Sequence, residues 1–422
     1  MTAAIRDRAD AISWAQFNRY WVSQSFAQGA GQVLNVGYPL IAAVLLDLGP
    51  SQVAVTTALQ FIPYLVVTPV AGMIVDRVNR VRLVLTCHVS RAVLLALAGM
   101  LAAEHSLTAL IFWTVVALSG SVNALASIGT LALVPDLAPE GGLVKANGRL
   151  QLSMSITQVI GPAVAGGLLA LSGDLVLFAI SAAFAVAAVL IVRTRARQVD
   201  RFRAREPWMR SFVAGVAFVR RVRMLWILLL RMTLFNFFEQ AVITLFMLFA
   251  LRELDLGSVQ VGLVLGAGAV GSVVGASTAS RFQSPRGVTV IMIVSTGMAS
   301  FSPGALPFVP AGSALTSMAV GSIAFCCYGF GLTVFNVHSN AVRHELAPRE
   351  LQGRLAAVFR TCAFSSIALG ASFAGVLAEA VTYRMAIGLS CVGLILSFFL
   401  FVTLLTRTES SGGRQPAASK RS

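Results

Sequence analysis

Charge is scarce in this sequence, and acid is scarcer than base. Only 12% of the 422 residues are charged, against about 25% in ordinary soluble domains, and 17 acids stand beside 32 lysines and arginines. With 57% hydrophobic residues and a mean hydropathy of +0.82, this composition excludes a soluble globular protein and predicts a chain embedded in a bilayer. The five cysteines, Cys87, Cys326, Cys327, Cys362 and Cys391, lie in apolar segments without a C-x-x-C pattern. They read as packing residues, not as disulfides or ligands. The four histidines have no metal-ligand spacing, and there is no Walker sequence or glycine-rich phosphate loop, so neither a metal, a cofactor nor ATP hydrolysis is expected. No cluster of nucleophile, base and metal ligands faces one interface, which argues against an enzyme. The net charge of +15 does not mark a nucleic-acid binder, because the bases are not interleaved with exposed aromatics over one surface.

The long apolar runs fix the fold class. A helix needs about 20 apolar residues to cross the hydrocarbon core, and the sequence predicts twelve, at roughly 18–46, 52–75, 81–103, 107–133, 145–170, 175–193, 224–250, 258–280, 287–307, 313–337, 354–378 and 384–406. The chain is thus expected to be an all-α membrane protein in two six-helix halves: residues 1–193, a linker at 194–223, residues 224–407, and a polar tail at 408–422. The segment up to Trp14 has no signal-peptide core, so the first helix is expected to direct insertion.

Basic residues sort by topology. Arg6, Arg8, Arg19, Arg77, Arg80, Arg82, Lys145, Arg149, the run from Arg193 to Arg223, Arg281, Arg286, Arg343, Arg349, Arg354, Arg407, Arg414, Lys420 and Arg421 fall on one side, and only Arg252 and Arg384 on the other. By the positive-inside rule both termini are cytoplasmic. A bacterial inner (plasma) membrane is the expected location and the bilayer the expected surrounding partner. Within the linker, WMRSFVAGVAFVRRV (Trp208 to Val222) mixes arginines with apolar residues as an interfacial helix does.

Two stretches repeat. Asp136-Leu137-Ala138-Pro139 after the fourth span recurs as Glu345-Leu346-Ala347-Pro348 after the tenth, 209 residues later. Parallel repeats of this kind generate two related halves. Between the second and third spans, GMIVDRVNRVRL (Gly72 to Leu83) reads as a hydrophilic hairpin: Gly72 permits close helix packing, Asp76 suits a helix N-terminus, and Arg77, Arg80 and Arg82 are cytoplasmic cations. The corresponding stretch Gly275 to Gly287 has Ser280 in place of the acid.

The Gly72 stretch closely resembles the loop between helices two and three in the major facilitator superfamily, with Asn79 where that family usually has glycine. The resemblance implies that Gly72, Asp76, Arg77 and Arg80 form a latch between the two halves on the cytoplasmic side; Arg360, near enough to the cytoplasmic end of the eleventh span to snorkel, reads as part of the same gate. GPAVAGG, Gly161 to Gly167, resembles the antiporter motif of exporters in this superfamily through Gly161, Pro162, Gly166 and Gly167. The match is partial, because Ala165 and Gly166 occupy the paired-glycine places.

Polar residues inside the spans are the candidates for chemistry. Gln24, Gln28, Gln32 and Asn35 share one helical face in the first span, and Ser119, Asn123, Ser127 and Thr130 repeat that spacing in the fourth. Such stripes either join helices or line a wet cavity. In the family, helices one, four, seven and ten surround the substrate path. The seventh span carries Arg231, Asn236, Glu239 and Gln240, and Glu239 alone among the acids lies near the centre of a span. It reads either as a proton or substrate group or as the partner of Arg231 or Arg91 in a structural ion pair. Arg91 either fixes an anion or answers Glu239. Of the aromatics Phe235, Phe237, Phe238, Phe246, Phe325, Tyr328, Phe330 and Phe335, two or three are expected to touch substrate, Tyr328 among them.

Across the whole chain the resemblance is to the drug:proton antiporter branch that includes macrolide efflux proteins and the enterobactin exporter. It implies a monomeric exporter of a small amphipathic compound, driven by protons through Glu239. Proton-coupled uptake of a nutrient, or a non-transporting receptor or scaffold of the same fold, are the alternatives.

Overall fold

The computed structural model describes residues 14–139, 142–192, 194, 208–281, 287–310, 312–348 and 351–412, with the backbone alone at 69–73, 76, 144, 208–211, 280 and 408–412. It is helical throughout: α1 (Trp14–Leu40, continued by a π turn at Ile41–Leu45), α2 (Pro50–Arg77), α3 (Arg80–Ala103), α4 (Ala109–Leu137), α5 (Leu143–Leu171), α6 (Gly173–Val192), α7 (Trp208–Arg221), α8 (Arg223–Arg252), α9 (Ser258–Thr278), α10 (Val288–Phe301, continued by a 3-10 turn at Ser302–Phe308), α11 (Ala314–Leu346), α12 (Gln352–Ala380) and α13 (Tyr383–Gly412). Helices satisfy every backbone group within themselves, which is what a segment surrounded by lipid requires. Among the described residues eleven helices are long and apolar enough to cross a bilayer. α1, with 27 residues, is long enough, but Arg19 and its row of amides make it less apolar than the others. Large apolar side chains such as Leu110, Leu171, Leu315 and Val376 are more than half exposed, as a lipid-facing surface requires.

Two sets of helices pack internally. α1 lies on α5 and α6, α3 on α4 and α6, and α2 on α4; in the second set α8 lies on α12 and α13, and α11 on α9 and α10. The sets meet along two seams, α2 against α12 and α5 against α9. Both seams depend on missing side chains. A Cβ at Gly166 would stand 2.2 Å from the Ser258 carbonyl oxygen, and one at Gly262 would stand 2.4 Å from that of Pro162. Ser258 Oγ also donates to the Gly166 carbonyl at 3.1 Å.

One repeat escaped the sequence reading and is unmistakable in three dimensions. Leu46-Asp47-Leu48-Gly49 before α2 and Leu254-Asp255-Leu256-Gly257 before α9 are built alike. Asp47 and Asp255 adopt left-handed φ of 47° and 49°, a region that aspartate tolerates better than most residues. Leu48 N–H donates to Ala42 O, and Leu256 N–H to Ala250 O, each at 2.9 Å. Gln52 and Gln260 then accept from the Gly49 and Gly257 amides at 3.0 and 2.7 Å, the glutamine half of a capping box, which closes the first turn of each helix. The first of these turns also touches the second set, because Arg252 at the end of α8 donates to the Leu48 carbonyl at 2.7 Å.

Three boundaries differ from expectation. The Gly72 to Leu83 stretch is mostly helix: α2 runs through Arg77, and only Val78 and Asn79 separate it from α3. Asn79, standing where the related loops have glycine, caps α3 by accepting from the Arg82 amide at 3.1 Å, so an N-cap side chain replaces turn flexibility. Asp136-Leu137 and Glu345-Leu346 are likewise the last helical residues of α4 and α11. Ala138 and Ala347 turn extended because each precedes a proline, which disfavours the helical conformation before it.

Candidate functional site

The polar groups of the first set converge from α1, α2, α3 and α4. Asn35 donates to Gln32 Oε1 at 3.1 Å and accepts from Gln60 Nε2 at 2.7 Å. Arg91, buried in α3, donates to Asn123 Oδ1 at 2.8 Å and to Ser119 Oγ at 3.3 Å, while its guanidinium lies 3.9 Å from the centre of the Phe184 ring. Asn123 in turn donates to the Tyr64 hydroxyl at 2.6 Å. The side-chain oxygens of Gln24, Gln28 and Gln60 are buried without a protein partner. Buried polar atoms rarely stay unpaired, so this face of α1 and α2 has hydrogen-bonding capacity to offer water or a solute.

The second set supplies the acid. Tyr328 on α11 donates its hydroxyl to Glu239 Oε1 on α8. Arg231, two turns before Glu239, does not reach it: among the described residues no ion pair joins them, and Arg231 instead donates to Thr296 on α10. Neither arginine thus makes a direct ion pair with Glu239: Arg231 acts on it only through space, and Arg91 is engaged by α4 and Phe184. Distance along the helix explains the first case, since Phe235 occupies the turn between the two charges with the guanidinium 4.0 Å from its ring centre. Gln240 bonds its own helix at Thr244, at 3.2 Å, and Asn236 is half-buried.

Between the sets, α12 reaches across. Phe364 packs on Tyr64 with ring centres 4.0 Å apart and stacks on Phe61 at 6.0 Å, and one turn earlier Arg360 donates to Ser127 Oγ at 3.4 Å. Arg360 thus meets α4, whereas the expected latch side chains Gly72 and Asp76 lie outside the described side chains. Arg77 is exposed. Arg80 pairs with Asp136 at 2.5 Å and donates to the Ala132 carbonyl at 3.0 Å, tying α3 to the end of α4. The glycine motif in α5 divides its work: a Cβ at Gly161 would press on Gln32 at 2.8 Å and one at Gly166 on Ser258, but Gly167 has nothing within 4 Å. Pro162 presents its carbonyl to Gly262.

Gln60, Tyr64, Thr296 and Phe364 were not singled out from sequence. For Gln60 and Tyr64 a signal existed, because an amide and a phenol one turn apart interrupt an otherwise apolar span. Thr296 and Phe364 carry no such mark.

Eleven helices among the described residues, long and apolar enough to cross a bilayer and enclosing buried polar clusters, define a multi-pass membrane protein. Residues 20–371 match the model of the Major Facilitator Superfamily, and the chain belongs to that family. Macrolide efflux protein A of Enterococcus faecalis is 30% identical over 215 residues, covering 48% of this chain and 64% of that protein. The Streptococcus pyogenes protein of the same name is 27% identical over 248 residues, 56% of this chain and 59% of its own length. The matches therefore span about three fifths of these relatives. Among solved structures, the nucleoside transporter NupG superposes with a TM-score of 0.75 at 13% identity, over 92% of this chain and 99% of its own. A bacterial homologue of the iron transporter ferroportin in an inward-facing state gives 0.70 at 18%, over 93% and 98%. At such identities the likeness establishes the fold.

Proposed function

We propose that this transporter exports a small amphipathic organic compound, of the drug, antibiotic or siderophore class, in exchange for protons. The observation that carries the proposal is Glu239, a mid-span carboxyl group held by Tyr328 between α8 and α11, in a molecule whose first set also buries unpaired amide oxygens. An acid at this depth is costly and is by default a functional group, and among the described residues no arginine pairs with it directly. The likeness to proteins named for macrolide efflux supports outward movement of an amphipath.

In this reading the chain crosses the membrane twelve times as two six-helix halves, 1–193 and 224–407, with both termini in the cytoplasm. The closely packed ends of the seams, at Ser51 and Gly375, Gly166 and Ser258, and Arg252, then lie toward the outside. Rocking of the halves about the seams would carry Glu239 between the two sides. Inside-out membrane vesicles with an acidic lumen test this with a panel of macrolides, dyes and siderophores. A compound that collapses the gradient in wild-type vesicles, but not in vesicles carrying Glu239→Gln, is the expected result. Transport of labelled compound without any gradient loss would overturn proton exchange.

A further inference from the structure

Arg231 and Glu239 do not touch, yet a continuous set of contacts joins them. Arg231, Phe235 and Glu239 are spaced by four on α8, so they share one face of the helix. The guanidinium of Arg231 sits over the Phe235 ring at 4.0 Å, with Phe335 of α11 on another side at 5.3 Å. Phe235 in turn lies parallel to Tyr328, the ring planes within 4° and the centres 6.2 Å apart. Tyr328 then gives its hydroxyl hydrogen to Glu239. Phe325 braces Tyr328 edge-on at 6.2 Å. Arg231 and Phe235 are only 2% and 1% exposed, so the column has little room to rearrange.

Its cost is visible at the cationic end. A guanidinium has five donors, yet Arg231 makes one side-chain hydrogen bond, to Thr296, its Nε is buried without a partner, and no acid among the described residues stands within ion-pair distance. Burying a charge on such terms is unfavourable, and leucine or methionine would fill the same space more cheaply. A cation over an aromatic face, by contrast, is attracted to the ring and fixes its plane. Offset-parallel stacking passes that constraint from Phe235 to Tyr328.

We infer that Arg231 is a positioning residue for the proton site: through the Phe235 and Tyr328 rings it holds the donor that fixes the Glu239 carboxyl group. The inference rests on the antiport reading for its purpose, but its geometry can be examined without any substrate. Infrared difference spectra of the reconstituted full-length protein, recorded between acid and alkaline buffer, contain a carboxyl or carboxylate band assignable to Glu239 by its loss in Glu239→Gln. Tyr328→Phe removes the donor and shifts that band. If the column operates as described, Arg231→Met and Phe235→Leu shift it in the same direction, while Arg231→Lys, which keeps a cation over the ring, returns it toward the wild-type position. A band unmoved in Arg231→Met, or in Phe235→Leu should the first variant fail to fold, overturns the inference. Because no transported compound is needed, this outcome is separate from failure of the vesicle assay, which would remove the antiport reading and leave the column standing.

Discussion

At the scale of single residues, the sequence marked the charges well and their partners poorly. Glu239 stands out because it is an acid in the middle of an apolar run, a property of one position. Its partner Tyr328 was one aromatic among eight, and Thr296 and Phe364 are ordinary residues whose importance comes from helices dozens of positions away. The same gap left open whether Glu239 and Arg231 form a direct ion pair, since opposite charges on one span suggest one until the intervening ring is seen. The residue scale also yields a stability contrast. Arg231→Met removes a buried cation whose Nε has no partner, a placement that costs desolvation, so the purified variant is expected to melt higher than wild type. A lower melting temperature would mean that the cation-ring contacts outweigh desolvation. Asn79 offers a second test: Asn79→Ala, which loses the cap on α3, is expected to cost about 1 kcal/mol, whereas Asn79→Gly costs only a few tenths, as thermal unfolding of the two variants would reveal.

At the scale of elements, hydropathy located the helices to within a few residues. It failed where local chemistry sets the ends, at prolines 139 and 348 and at the Asn79 cap. The repeat before α2 and α9 was present in the letters as Leu-Asp-Leu-Gly twice, but its meaning lies in backbone geometry, two left-handed aspartates followed by two glutamine-closed first turns. The glycine motif in α5 was legible as a motif and not as a division of labour. Its structure leads to a sharp comparison. Gly166→Val should lose transport, because its Cβ alone would stand 2.2 Å from the Ser258 carbonyl oxygen, and the backbone of α9 has to move to admit it. Gly167→Ala, with nothing within 4 Å, should transport normally. Vesicle uptake by the two variants at matched expression checks this, and equal activity would show that the α5–α9 seam is not closely packed during the cycle.

At the scale of the whole molecule, family membership and an all-helical membrane architecture were accessible from composition, spacing and resemblance. The seams were not, because contacts between α2 and α12 or α5 and α9 join segments far apart in the chain. Their closed ends imply that transport requires them to part. A cysteine pair at Ala54 and Gly375, where a Cβ on Gly375 would lie 2.6 Å from that of Ala54, should form a disulfide after a small outward adjustment, since bonded Cβ atoms sit about 3.5–4.5 Å apart. Oxidation is expected to stop transport and reduction to restore it; undiminished transport in the oxidised form would show that this seam stays shut throughout.

The central claim is that Glu239 couples the movement of protons to that of substrate. The most direct measurement uses purified protein in liposomes, with the compound identified in the vesicle screen, comparing uphill accumulation under an imposed pH gradient with exchange of labelled for unlabelled compound at equal pH. Wild-type protein should do both. Glu239→Gln, a carboxamide that cannot release a proton, should exchange compound yet fail to accumulate it. Accumulation by Glu239→Gln at the wild-type level would contradict the account.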